Sequence, residues 1–60
     1  MNAIAQEIDR LPETEKKILV LFYHEMLTFK EIALVLGIDI LKVNILHNQA
    51  IEYLMTGPHE

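Results

Sequence analysis

The stretch "TFKEIALVLGID", Thr28 to Asp39, leaves the backbone few choices. Thr28 with Glu31 three residues on is a capping box: each side chain can satisfy the other's orphan backbone N–H, so a helix starts there. Gly37 stops it, because glycine enters the left-handed conformation without a Cβ penalty. Asp39 is then placed to cap a second helix. A helix held between these limits has about two turns and cannot bury its own apolar face. It needs neighbours on both sides.

The rest of the chain supplies them. Pro12 opens "PETEKKILVLFYHEM"; proline suits a first helical turn, and Glu13 and Glu15 sit well against the positive end of the helix dipole. Before it, Ile4, Ile8 and Leu11 mark a short amphipathic helix. After Asp39 the helical pattern runs on until Gly57-Pro58. Nothing alternates with period two for long enough to make a strand. The expectation is an all-α domain of four short helices, over about 2–10, 12–25, 29–36 and 40–55, forming one unit over 1–56 with a frayed tail over 57–60.

Composition narrows the class. At 60 residues the chain buries only about 60% of its unfolded surface, so its core alone is marginal. Yet 52% of its residues are hydrophobic, and surplus apolar surface on a small chain points to a partner. The net charge is −4, whereas an isolated nucleic-acid binder normally carries a basic face. With no cysteine there is no disulfide scaffold and no thiolate metal site. The longest apolar run, Ile18 to Tyr23, is far short of the roughly 20 residues that span a bilayer. "MNAIAQEIDR" lacks a signal-peptide pattern, so a cytoplasmic protein is the expectation. His24, His47 and His59 have no carboxylate at metal-ligand spacing, and no phosphate loop or catalytic triad is in view. Neither enzyme, cofactor, metal nor small-molecule substrate is expected.

The two helices around Gly37 fit a helix-turn-helix. Their crossing needs a small residue one turn before the glycine, and Ala33 is there. Ile32 and Leu36 on the first helix, Ile38 in the turn, and Val43 and Leu46 on the second pin the pair to the rest of the domain. An ordinary helical hairpin is the plainer alternative.

Read from Ile8 to Leu54, the chain resembles region 4 of a bacterial sigma-70-family factor, closest to the flagellar and sporulation types. The carriers are Leu11-Pro12-Glu13, Glu15-Lys16, Phe22-Tyr23, Glu25, Leu27-Thr28, Lys30-Glu31-Ile32, Leu36-Gly37, Val43, His47 and Gln49-Ala50. The resemblance implies a domain that binds the promoter −35 element in the major groove while docked on the β flap of the RNA polymerase core. It assigns DNA contact to Thr28, Lys30, Lys42, Asn44 and Asn48, with Thr28 and Lys30 at the phosphates. Lys42 matches a phosphate-binding arginine of the family.

The departures from the family pattern fall on one face. Ile40, Leu41 and Ile45 stand where relatives place residues that touch bases. An isoleucine can contact a thymine methyl but makes none of the bidentate hydrogen bonds that separate bases. Around the motif only Lys30 and Lys42 can neutralise phosphates, against Glu31, Asp39 and Glu52. A tether to the polymerase would raise the effective concentration and compensate for the low charge. It does not account for three outward aliphatics. A second reading therefore stands beside the first: a protein-interaction module, through homodimerisation or capture of a regulatory protein. Its contacts would be Ile40, Leu41 and Ile45, with Leu19, Val20 and Tyr23 as outward residues of the helix over 12–25.

Overall fold

The computed structural model describes residues 10–56. Among these the protein is all-α: α1 spans Glu13–Leu19, α2 Phe29–Leu36 and α3 Ile40–Thr56, with a π-helical segment, Val20–His24, continuing α1. The helix expected over 2–10 and the tail over 57–60 lie outside the described residues.

Local chemistry sets most of the boundaries. Pro12 is the residue just before α1, with extended backbone (ψ 151°), and its carbonyl accepts from the Lys16 N–H at 2.9 Å. Glu13 and Glu15 fall in the first turn as expected. At α2 the capping box is complete: the Thr28 hydroxyl oxygen accepts from the Glu31 N–H at 3.1 Å, and the Glu31 carboxylate accepts from the Thr28 N–H at 2.8 Å. Gly37 closes α2 at φ 70°, and the Ala33 carbonyl accepts from both the Gly37 and Ile38 N–H groups. A Cβ at Gly37 would meet nothing within 4 Å, so the backbone angle, not space, requires glycine there. Asp39 caps α3, its carboxylate accepting from the Leu41 N–H at 2.7 Å.

One boundary departs from expectation. The helix expected over 12–25 is α-helical only to Leu19; beyond it the Glu25 N–H reaches back to the Val20 carbonyl, five residues away, at 3.1 Å. Met26 then takes a positive φ of 62° and turns the chain toward Thr28. No proline or glycine lies between Pro12 and Gly37, so no local signal marks the change. The segment is held from outside, by the rings packed on Phe22 and Tyr23.

Two apolar clusters join the helices. Ile18, Ile32, Ala33 and Val43 form the first, with Phe22, Leu36, Ile38 and Leu46 packed around them. Leu11, Leu19 and Ala50 form the second, flanked by Ile51, Tyr53 and Leu54. Ile18 and Leu19, neighbours in sequence, each anchor a different cluster. Leu19 was expected on an outward contact face. It is buried instead, because the second cluster reaches around α1 to meet the C-terminal half of α3.

Candidate nucleic-acid interface

Ala33 of α2 is buried in the first cluster with Val43 of α3, and the Gly37 turn joins the end of α2 to the start of α3. Val43 and Ala50 are fully buried and define the inward side of α3. Round the helix from that side, Leu41, Lys42, Asn44, Ile45 and Asn48 are exposed. Lys30 is exposed at the first turn of α2, next to Thr28. The five residues expected at DNA thus lie on the two helix starts and the outer face of α3.

Their polar groups are not equally free. The Thr28 hydroxyl oxygen is committed to the capping box, which leaves its own proton as the donor toward a phosphate. The Glu31 carboxylate accepts from the Thr28 N–H, which keeps it at the helix end beside Lys30. Asn48 donates through Nδ2 to Asn44 Oδ1 at 3.2 Å, one turn along the same face. The Asn48 Oδ1 lies 3.3 Å from His47 Nδ1, and His47 Nε2 lies 3.0 Å from the Tyr23 hydroxyl. The His47 ring sits among Phe22, Tyr23 and Phe29, with ring centroids 5.2, 5.8 and 5.0 Å away. His47 is therefore a packed residue of an aromatic cluster that spans the π segment, α2 and α3.

The same face carries apolar surface. Ile40, Leu41 and Ile45 are 46%, 68% and 54% exposed. Val20 and Tyr23 are also exposed, but the Tyr23 hydroxyl and ring are engaged by His47. Leu34 and Val35, on the outer side of α2, are exposed to a similar or greater extent, at 77% and 62%. Their outward placement was missed from sequence, since "IALVL" reads as one apolar run; the helical spacing from the buried pair Ile32-Ala33 would have found it. Two shallow grooves flank α1. One is lined by Val20, Tyr23, His24, Ile51 and Leu54, the other by Lys16, Lys17, Val20, Leu21, Val35 and Leu36. Among the described residues no group of histidines and carboxylates could hold a metal ion, and no helix is long and apolar enough to cross a membrane.

Comparison with known proteins gives a consistent picture. A family model described as "Sigma-70, region 4" matches residues 8–54. The RNA polymerase sigma factor FliA of Escherichia coli K12 is 45% identical over 53 residues, covering 88% of this chain and 22% of that protein. FliA of Yersinia enterocolitica is 45% identical over 51 residues, 85% of this chain and 22% of that protein. FliA of Pseudomonas aeruginosa is 47% identical over 47 residues, 78% of this chain and 19% of that protein. The chain spans about a fifth of the length of the curated relatives it matches. No solved structure matches it.

Proposed function

The chain belongs to the sigma-70 region 4 family, and from that premise we propose that it is a transcription-initiation module that contacts a promoter −35 element while docked on RNA polymerase. The observation that carries this reading is the helix-turn-helix itself. The capping box, the left-handed Gly37 and the Asp39 cap set α3 with Lys42, Asn44 and Asn48 on its outer face. Lys30 and the Thr28 hydroxyl take phosphates at the start of α2; Lys42 takes a phosphate at the start of α3. Docking on the polymerase supplies by tethering the affinity that two lysines cannot supply alone. The test is fluorescence anisotropy of the 60-residue chain on a −35 duplex at low salt, and again with the chain fused to a polymerase-docked partner. Binding that Lys42→Ala abolishes supports the reading; indifference to Lys42→Ala and to salt sinks it.

A second reading is favoured by the exposure of Ile40, Leu41 and Ile45 on the same face. Covering such side chains is worth about 1.5–3 kcal/mol each, so α3 would serve as a hydrophobic contact for a second copy or a regulatory protein, with little DNA binding. Sedimentation separates the two. A dimer that Ile40→Lys or Ile45→Arg converts to a folded monomer supports contact through α3, while a monomer at all concentrations argues against self-association.

A further inference from the structure

Four side chains join the π segment to the outer face of α3 in one hydrogen-bonded line: Tyr23, His47, Asn48 and Asn44. The spacings are 3.0 Å from the Tyr23 hydroxyl to His47 Nε2, 3.3 Å from His47 Nδ1 to Asn48 Oδ1, and 3.2 Å from Asn48 Nδ2 to Asn44 Oδ1. The atoms fix a direction. Asn48 presents an oxygen to His47, so His47 Nδ1 must carry the proton and donate. His47 Nε2 is then the bare nitrogen of the neutral ring and accepts from the Tyr23 hydroxyl. Asn48 Nδ2 donates to Asn44 Oδ1, so every donor points the same way, from the aromatic cluster outward. Bonds aligned head to tail polarise one another. The reverse direction would need both amides turned over and the other tautomer of His47.

We propose that Tyr23 and His47 are positioning residues for base specificity: through Asn48 they hold the Asn44 amide with its oxygen engaged and its N–H groups outward. The inference rests on the reading of α3 as the DNA-contacting helix. An asparagine free to use both ends of its amide matches adenine, accepting from N6 and donating to N7. With one lone pair of its oxygen taken by Asn48 and that oxygen turned along the helix, Asn44 offers chiefly its N–H groups toward DNA. The edge that suits it is guanine, whose N7 and O6 both accept, and adenine opposes it with the N6 amino group. The aromatic packing makes the setting rigid, since the His47 ring is held by Phe22, Tyr23 and Phe29 and cannot swing away from Asn48 without breaking three ring contacts.

The experiment has two arms on the 60-residue chain. Nitrogen-15 NMR of the uniformly labelled chain, at a pH where His47 is neutral, reads its tautomer directly without DNA; the Nδ1–H form is expected. Binding at low salt is then measured on duplexes that differ only in guanine or adenine at each position of the −35 site. One position is expected to favour guanine by on the order of tenfold. Tyr23→Phe removes the hydroxyl and keeps the ring; its fold is checked by circular dichroism. It is expected to cut that preference to threefold or less while leaving affinity for unrelated duplex unchanged. The Nε2–H tautomer overturns the line of bonds. The Nδ1–H tautomer with no guanine preference, or with a preference that survives Tyr23→Phe, overturns the specificity role. Absence of binding to every duplex, both by the chain alone and by the chain fused to a polymerase-docked partner, with the Nδ1–H tautomer intact, overturns the DNA reading and the specificity drawn from it, and leaves the bonded line standing as structure alone.

Discussion

Single residues carry distinct duties around the turn, and each gives a measurable consequence. Gly37 holds φ 70° with open space around it, so Gly37→Ala is penalised by backbone conformation alone. The expected loss is about 1–2 kcal/mol in urea denaturation, with Gly37→Asn losing less. Thr28→Ala removes the acceptor for the Glu31 N–H and is expected to cost about 1 kcal/mol. Lys42 has a proposed duty of another kind, a phosphate contact. Its removal should lower DNA affinity evenly across sequences and reduce the slope of log K against log salt by about 1, measured by titration at several salt concentrations. Thr28 and Gly37 were legible in the sequence because their roles are local: a cap and a left-handed angle. His47 is legible in part: the sequence offers it as a packing or helix-surface residue, but its partners Phe22 and Tyr23 reach it only once α1 and α3 have packed.

At the scale of elements, α2 and α3 follow the punctuation that bounds them, and α1 does not. "PETEKKILVLFYHEM" has no breaker, and propensity alone would run an α-helix through it. The structure stops the α-helix at Leu19, widens it into the π segment and turns it at Met26. Tertiary packing overrides local preference here, which is why the sequence does not announce it. Met26 is exposed at φ 62°, so its side chain contributes little and its backbone is unfavourable. Met26→Gly relieves that conformation at the entropic cost of a glycine, and a net gain of about 0.5–1 kcal/mol in thermal or urea unfolding is expected. Burial on α1 was legible only in part for the same reason. Helical spacing that turns Leu19 outward leaves Ile18 inward, where it is found, but Leu19 is claimed by a second cluster whose existence depends on how far α3 extends.

For the whole molecule, the opposition between core and surface apolar residues decides which substitutions unfold it. Ile32 is fully buried between α1, α2 and α3, and Ile32→Ala is expected to cost about 2–5 kcal/mol, enough to unfold a domain of this size at ordinary temperature. Ile45 is an isoleucine too, yet more than half exposed, and Ile45→Arg is expected to leave folding within about 0.5 kcal/mol of the parent by circular dichroism. The pair separates the residues that make the fold from those it presents. The two-cluster arrangement also bears on the order of assembly. α2, its turn and α3 meet through contacts close in sequence, which form early because little chain entropy is lost in closing them. Leu11 and Leu19 meet Ala50 across some three dozen residues, a closure that comes later. Since Ile18 and Leu19 adjoin, the seating of α1 on the first cluster delivers Leu19 to the second. α1 is in this sense a clasp: the helix-turn-helix pair can form before it shuts, and only its shutting holds the far half of α3 in place.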